Sequence, residues 1–231
     1  MTREIVLDTE TTGMDPFKGD RIIEIGAVEL VNHMPTGRTC QIYINPEREI
    51  PADATAIHGI TNEFIKDKPI FIKCYTEFMD FIAEDSTLVI HNAEFDMKFL
   101  NWELENIGHK PISWDRVVDT LTMARKKFPG SPANLDALCR RFNIDNSART
   151  HHGALLDSEL LAEVYLELLG GRQRGLELTD NSTVKSIQGG RTASNKKRSF
   201  RAPRPHAPSE EEMAAHKEFL TQITNPLWDK A

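Results

Sequence analysis

The chain has 231 residues, 39% of them hydrophobic and 27% charged, which is long enough to bury one sizeable core and to carry an appendage. It contains no run of about eighteen apolar residues, so we expect no membrane-spanning segment. The net charge of −7 is divided into −11 for residues 1–170 and +4 for residues 171–231, and an acidic body is a poor passive binder of nucleic acid because affinity for phosphate comes from Lys and Arg.

The first 170 residues predict an α/β domain with a mixed sheet. Three β-rich runs come first, at Glu4–Asp8, Arg21–Val31 and Thr39–Ile44, and the turns between them are too short to hold crossover helices, so we expect an antiparallel meander. A fourth short apolar run, Thr87–Ile90, predicts another strand. Apolar periodicity predicts helices at 75–83, 93–107, 118–127, 134–142 and 154–169.

The composition changes after residue 170. Residues 171–208 are rich in Gly, Ser, Thr, Arg and Pro and lack apolar periodicity, which predicts a flexible basic linker. A last helix is predicted over 209–223, with Ser209 as its N-cap and Glu212 completing a capping box. This helix and Trp228 form an apolar cluster too small to fold alone, so we expect it to fold on a partner.

The three cysteines, Cys40, Cys74 and Cys139, are odd in number and far apart in the sequence. Their spacing matches neither a disulfide framework nor a zinc site. We expect buried thiols in a reducing cytoplasm.

A pair of acids, Asp8 and Glu10, ends the first predicted strand. Side chains alternate along a strand, so both project from one face, about 6.6 Å apart. Two carboxylates directed at one point repel each other unless a cation lies between them. The alternative is a pair of solvated acids at the end of a strand, which is the commoner situation for this spacing taken alone.

A third acid, Asp96, follows the predicted strand Thr87–Ile90 closely. Asn92 is a candidate N-cap, which places Asp96 in the first turns of the helix that leaves the edge of the sheet. The alternative is an ordinary first-turn acid that the helix dipole stabilises.

The fourth acid, Asp157, lies in a predicted helix, and His152 precedes it by five residues. Five helical residues turn by about 500°, so a helical His152 would point away from Asp157. Gly153 favours a position for His152 on the preceding loop, over the site, where a side chain that titrates near pH ~6.5 can take a proton from an attacking water. The alternative for either of the adjacent histidines is simple solvation.

The order DxE…D…HxxxxD of these residues resembles the exonuclease family called DEDDh. The resemblance covers about residues 1–170 and rests on DTETTG at 8–13, IIEIGAVE at 22–29, HGIT at 58–61, HNAEFD at 91–96, NLDALC at 134–139 and HGALLDS at 152–158. It implies a ribonuclease H-like fold, with a five-stranded mixed sheet flanked by helices. It also implies 3′→5′ hydrolysis at a single-stranded or frayed DNA end, as in proofreading during replication.

The implied chemistry uses two divalent cations, Mg²⁺ or Mn²⁺, because a phosphodiester is anionic and repels hydroxide. Hard ions take oxygen ligands, which suits carboxylates better than Cys and His. By resemblance, Asp8 bridges both ions, and Glu10 and Asp157 complete the site of the ion that carries the nucleophilic water. Asp96 supports the second ion, and His152 is the general base.

The resemblance also implies contacts with the substrate strand. His58 contacts the terminal nucleotide, Asp53 lies near its sugar, Thr9 and Phe95 flank the last bases, and Asn92 contacts the backbone. A histidine satisfied by its own turn is the alternative for His58, and simple N-capping is the alternative for Asn92. The ligands Asp8, Glu10 and Asp157 are expected to face the substrate too.

No catalytic role is expected for four further residues. Leu7 and Ile57 are either wedges against the last bases or core side chains. Asp119 is expected to be a structural cap or an ion-pair partner. His151 is expected not to act as the base, since the offset of five residues selects His152.

The tail is where members of the family differ. Gln173, Leu176 and Leu178, within 173–178, resemble the short motif by which bacterial replication proteins dock on the sliding clamp, although an aromatic is commoner at the position of Leu178. The alternative is a chance match in a linker. In the family, C-terminal segments such as 209–231 anchor the exonuclease to the polymerase alpha subunit, and some members carry a third small subunit.

Two other functions compete with DNA proofreading. One is a DEDDh exoribonuclease of the ribonuclease T or oligoribonuclease type, which the catalytic residues barely distinguish. The other is a scaffold whose exonuclease site has decayed, which the presence of all five site residues opposes.

Overall fold

The computed structural model describes residues 2–147, 149, 151–171 and 208–223. The predicted linker, apart from its two end residues, and the clamp-like motif at 173–178 lie outside the described residues. The chain divides into two compact units, Met1–Thr179 and Asp180–Ala231. The predicted boundaries after residues 170 and 208 stay predictions.

One five-stranded sheet forms the centre of the first unit, in the order β3-β2-β1-β4-β5. β1 pairs with β2 and β2 with β3 in antiparallel fashion, so the predicted meander is confirmed. β1 pairs with β4 and β4 with β5 in parallel, which makes the sheet mixed, as expected. The strands are β1 (Arg3–Thr11), β2 (Ile22–Val31), β3 (Met34–Tyr43), β4 (Thr87–Ile90) and β5 (Val117–Asp119).

Helices cover the sheet and connect its strands. They are α1 (Ala52–His58), α2 (Asn62–Ile65), α3 (Phe71–Ile82), α4 (Ala93–Asn106), α5 (Thr120–Lys127), α6 (Leu135–Phe142) and α7 (Ala154–Leu168), with α8 (Glu210–Thr221) in the second unit. The sequence analysis did not predict α1, α2 or β5. Its helix from residue 118 was wrong at the start, because Val118 pairs with Val89 in the sheet and the helix begins only at Thr120.

Asp119 links the end of β5 to two helices. One of its carboxylate oxygens accepts from the backbone N–H of Leu121 at 2.9 Å and of Asn92 at 3.1 Å. The other accepts from the hydroxyl of Thr122 at 2.7 Å. The predicted role of Asp119 as a structural cap is confirmed.

Apolar side chains are buried on both faces of the sheet. Because side chains alternate along β1, Ile5 and Leu7 belong to the cluster under α3 and α4, whereas Val6 belongs to the cluster under α7. Leu7 is fully buried, so the core alternative is the correct one for this residue.

All three cysteines are buried as free thiols. Cys40 and Cys74 lie in the cluster under α3, and Cys139 lies between α6 and α7. Burial raises the pKa of each thiol to about 11, so all three stay protonated and unreactive at neutral pH. The expectation of buried thiols is confirmed.

The helix α8 begins at the predicted capping box. The Ser209 hydroxyl accepts from the backbone N–H of Glu212, and the Glu212 carboxylate accepts from the backbone N–H of Ser209. Within its own unit the helix exposes large apolar side chains, including Met213 and Phe219. No helix among the described residues is long and apolar enough to cross a bilayer.

The ends of two parallel strands define the location of the site. Glu4–Val6 of β1 pairs with Thr87–Val89 of β4, and β1 continues beyond this pairing to Thr11. Since parallel strands end at the same edge of a sheet, the end of β1 lies beside the start of α4. The acids of β1 and of α4 are therefore brought to one edge.

Helix α7 crosses β2 at Gly26, where two backbones come into direct contact. The hydroxyl of Ser158 donates to the carbonyl of Gly26 at 2.9 Å, and the backbone N–H of Ala154 donates to Glu24 at 3.2 Å. A Cβ at Gly26 would overlap the backbone of Ala154 and Leu155. This close approach fixes where the first turn of α7 lies relative to the sheet.

Gly26→Ala is expected to lower the free energy of unfolding by about 1–3 kcal/mol or more, because backbone atoms cannot give way as a flexible side chain can. Gly153→Ala is the matched control, since a Cβ at that position meets open space. Denaturant unfolding of both variants measures the difference. Equal midpoints would contradict the close approach of α7 to β2.

Candidate active site

The four predicted carboxylates and the imidazole of His152 line a single cavity of about 960 Å³, which Asp136 and His91 line as well. Asp8 and Glu10 come from the end of β1, Asp96 from the first turn of α4, and Asp157 from the first turn of α7. His152 lies on the loop just before α7, as predicted, and is exposed. The structure thus brings together all five residues of the predicted constellation.

Three of these side chains form a group able to hold a cation. One ligand atom each from Glu10, His152 and Asp157 lies within 4.8 Å of the other two. The Nδ1 atom of His152 is 3.4 Å from Oδ2 of Asp157. Asp8 and Asp96 line the same cavity beside this group.

Asp96 is held at the start of α4 by a neighbour on β1. It is buried, and the hydroxyl of Thr9 donates to its Oδ1 at 2.7 Å. Asn92 occupies the N-cap position, but its side chain makes no capping hydrogen bond, so the prediction that it caps the helix is wrong. Its backbone is left-handed, with φ of 64°, whereas a capping side chain requires an extended N-cap.

The carboxylates of the site destabilise one another. Burial, then the charges of Asp96, Glu10 and Asp157, raise the pKa of Asp8 well above its usual value. Burial and the charge of Asp157 raise the pKa of Glu10 to about 8. Burial raises the pKa of Asp96 to about 7 in spite of the bond from Thr9.

Raised pKa values make the stability of the metal-free protein depend on pH. The pKa of Glu10 rises from 4.5 to about 8 on folding, so the folded state retains a proton that the unfolded state releases. The free energy of unfolding therefore falls as the pH increases through this window. Thermal unfolding in a chelator should show this fall, and Glu10→Gln should reduce its slope; an unchanged slope in Glu10→Gln would contradict it.

Glu10 also carries an unpaired polar atom. Its Oε1 is buried and has no hydrogen-bond partner among the described residues. Buried polar groups are rarely left unpaired, so this oxygen indicates a binding position for an ion or another ligand. Crowded carboxylate oxygens with raised pKa values are a donor set that suits a hard divalent cation.

The two adjacent histidines lie in different surroundings. His152 lines the cavity of the carboxylates, and its backbone N–H donates to the carbonyl of Ile57 at 3.0 Å, which ties its loop to α1. The ring of His151 lies against Gly59, and this residue lines only a neighbouring cavity of about 580 Å³. Of the two histidines, His152 is the one that lines the cavity of the carboxylates, and both line the neighbouring cavity.

His58 is buried at the end of α1. Its Nδ1 accepts from the backbone N–H of Ile60 at 3.0 Å, so the neutral ring carries its proton on Nε2. This Nε2 is buried and unpartnered within the described part of the chain. Burial, and then the charge of His152, lower the pKa of His58. The turn therefore satisfies only one of its two ring nitrogens.

The other predicted substrate residues divide into two groups. Thr9, Asn92 and Phe95 line the cavity. Asp53 is exposed in the first turn of α1 and does not line it, so the structure does not bring this acid to the site. Ile57 is exposed, so the core alternative is wrong for this residue.

Arg149 is the residue that the sequence analysis missed. Its Nε and Nη2 donate to the two oxygens of Asp157 at 2.5 and 2.6 Å. Its Nη1 donates to Asp136 at 2.7 Å, and Nη2 lies 2.9 Å from Nδ1 of His152. Burial disfavours the charge of the guanidinium, but the bonds to Asp157 and Asp136 outweigh it and raise the pKa of Arg149. A lone basic residue three positions before His152 was the available signal.

Known proteins resemble the chain over nearly its whole length. A family model described as Exonuclease matches residues 5–165. The DNA polymerase III subunit epsilon of Rickettsia felis is 52% identical over 226 residues, covering 96% of each chain. The subunit of the same name from Escherichia coli K12 is 45% identical over 230 residues, covering 96% of this chain and 94% of that protein.

Solved structures resemble the first unit in fold. The nuclease domain of 3′hExo, a DEDDh family member bound to rAMP, has a TM-score of 0.64 at 21% identity, covering 72% of this chain and 91% of that one. Exonuclease X in complex with 5′ overhanging duplex DNA has a TM-score of 0.57 at 25% identity, covering 72% of this chain and 90% of that one. The resemblance supports the expected ribonuclease H-like arrangement of the sheet and its helices.

Proposed function

The chain belongs to the DEDDh exonuclease family that includes the epsilon subunits of DNA polymerase III, and from this membership we propose how it acts as a proofreading 3′→5′ exonuclease. The observation that carries the proposal is the meeting of five residues from β1, α4, α7 and the preceding loop around one cavity. These residues are far apart in the sequence, and only the fold brings them together. Together they carry out hydrolysis of the last phosphodiester of a DNA strand.

Divalent metal ions belong to the chemistry of this family, and the donor set of the cavity suits them. We propose that two ions, Mg²⁺ or Mn²⁺, would be held by Asp8, Glu10, Asp157 and Asp96. When bound, such ions neutralise the charge of the phosphodiester and of the leaving 3′ oxygen and lower the pKa of water. The four carboxylates that line the cavity and the unpaired Oε1 of Glu10 support this assignment.

His152 is the proposed general base. It lies on a loop beside the carboxylates, is exposed to water, and has ring nitrogens that can accept a proton. Asp157, at 3.4 Å, is the group that stabilises the ring once it has become charged. His151 is turned toward Gly59 and has no such partner among the site carboxylates.

The terminal nucleotide is the proposed occupant of the remaining cavity. Thr9 and Phe95 flank its base, and Asn92 contacts its backbone. Phe95 is half-buried and packs on Phe99 with ring centroids 5.0 Å apart, so its ring has a fixed orientation for stacking. His58 stays a predicted contact with the same nucleotide, and its buried, unpartnered Nε2–H does not line the cavity. Asp53 stays a predicted contact with the sugar.

A nuclease assay tests the proposed function directly. Single-stranded DNA and RNA oligomers of equal length, labelled at the 5′ end, are incubated with the full chain with Mg²⁺, with Mn²⁺ and with a chelator. We expect metal-dependent release of mononucleotides from the 3′ end, faster on DNA. Faster degradation of RNA would favour an exoribonuclease, and the absence of hydrolysis in either metal would favour a decayed site.

The tail is the proposed link to the polymerase. The relatives named DNA polymerase III subunit epsilon indicate that this chain is part of a polymerase complex that acts on DNA. We assign residues 209–231 to the alpha subunit, the motif 173–178 to the sliding clamp, and the surface of the body to a third small subunit. The apolar side chains that α8 exposes support the first assignment. A tether also explains the acidic body, since effective concentration can replace affinity for DNA. The site of action is then the bacterial cytoplasm, at the nucleoid.

Two binding experiments separate these assignments. The full chain should co-purify with the polymerase alpha subunit, and a chain ending at residue 208 should not. A peptide of residues 170–180 should bind the clamp in calorimetry, and replacing Gln173 by alanine should abolish the heat. Co-purification without 209–231, or a peptide with no heat of binding, removes the corresponding assignment.

A further inference from the structure

Arg149 lies where a positive charge is needed in the acidic cavity. Its side chain is only 8% exposed, and its fork spans Asp157, Asp136 and His152 at once. Its charge also lowers the pKa of Asp8 and Glu10, against the effect of burial. The guanidinium is therefore within electrostatic reach of three of the four carboxylates.

The contact with His152 determines the state of the imidazole. A guanidinium donates hydrogen bonds and cannot accept them, so Nδ1 of His152 must accept in this pair. The proton of the neutral ring then lies on Nε2. One ring nitrogen has its lone pair occupied by Arg149, and the other carries the proton. A general base needs a free lone pair, so His152 cannot take a proton while this contact persists.

The contact with Asp157 has a parallel consequence. The guanidinium bonds both carboxylate oxygens, which is the strong bidentate geometry of arginine and carboxylate. A divalent cation held by Glu10 and Asp157 would lie directly against this positive group. Like charges at that distance repel, so the cation and the guanidinium compete for the same carboxylate.

We propose that Arg149 is a positioning residue that substitutes for the cation in the metal-free protein: it holds Asp157 and His152 in place and must leave both before hydrolysis. The inference rests on the proposed function, because it concerns the same site. Binding of the cation is then coupled to the release of His152. A protein without metal is held in a form that cannot use its general base, and the cation removes this restraint when it binds.

Calorimetric titration of the metal-free full chain with Mn²⁺ tests the competition. Arg149→Gln is expected to bind Mn²⁺ about tenfold more tightly than the wild type, since allosteric and competitive couplings of this kind are worth roughly 5–150-fold. Arg140→Gln is the matched control. Arg140 is exposed, and its Nε donates to the backbone carbonyl of Asp136. The variant therefore removes one nearby positive charge and leaves the hydrogen bonds of Asp157 unchanged. Its affinity should match that of the wild type.

The outcomes separate this inference from the proposed function. A wild type that does not bind Mn²⁺ at all would refute the metal-dependent function. Binding by the wild type with an equal or weaker affinity in Arg149→Gln would overturn the role of Arg149 alone. If Arg149→Gln does not fold, Arg149→Lys serves instead, because one ammonium cannot bond both oxygens of Asp157 and the ring of His152, and its affinity should exceed that of the wild type.

The state of His152 gives a readout independent of affinity. Nitrogen NMR of the metal-free wild type should show the proton of the His152 ring on Nε2. Addition of Mg²⁺ should change the Nδ1 signal, and Arg149→Gln should show that change without metal. A free Nδ1 lone pair, or a proton on Nδ1, in the metal-free wild type would overturn the proposal.

Discussion

Asp8→Asn is expected to reduce turnover of single-stranded DNA by roughly 100-fold or more, because even outer partners of a metal site cost about 10–100-fold when removed. The same change should raise the stability of the metal-free protein. The pKa of Asp8 is raised by burial and by Asp96, Glu10 and Asp157, which means that its charge is unfavourable in the folded state. An amide of the same shape removes that charge.

The opposite signs of these two effects distinguish a metal ligand from a structural acid. Turnover is measured with Mg²⁺ and thermal unfolding in a chelator, with Asp67→Asn as the control at an exposed position. The control should change neither quantity. A lower melting temperature for metal-free Asp8→Asn would identify Asp8 as a stabilising residue, and unchanged turnover would remove it from the site.

His152→Ala is expected to lower kcat by about 10²–10⁴-fold, which is the usual contribution of a positioned general base. The melting temperature should change little, because the side chain of His152 is about half exposed, at 48%. His151→Ala is the natural control, since it removes the same ring one residue away. It should retain most of the turnover.

The comparison of the two histidines has a clear contrary result. If His151→Ala were inactive and His152→Ala active, the assignment of the base would be reversed. Equal losses in both variants would indicate that the loop before α7 acts as a whole, through its bond to the carbonyl of Ile57. Rates across the pH range from about 5 to 9 separate loss of a base from a displaced loop, because only the first changes the shape of the profile.

The elements with a strong local pattern were predictable. β1 contains the consecutive apolar run Ile5–Leu7, and α7 carries apolar residues along most of its length, so the local composition was enough to place them. Helix α1 was missed because the run ADATAIH is mostly exposed and has no apolar stripe. Strand β5 was missed because three residues, Val117–Asp119, are too few to show a period, and their pairing with β4 is what makes them a strand.

The site, too, contains residues that were predictable from the sequence and one that was not. The site residues Asp8, Glu10, Asp96, His152 and Asp157 were identified through the resemblance of their combined order to the DEDDh family, because each motif by itself also fits an ordinary structural role. Arg149 was not, since a single arginine in a polar loop has no pattern around it. Only the position of the loop over Asp157 gives that arginine its partners.

By itself, the amino-acid sequence determined most of the longer elements, which side chains are apolar and which residues carry the reactive groups, because these properties are local. The tertiary structure alone decided that β1 and β4 end together, that α7 crosses β2 at Gly26, and that a guanidinium lies between Asp157 and His152. Such distances join residues far apart in the chain. They depend on how whole elements pack, and no local pattern encodes them.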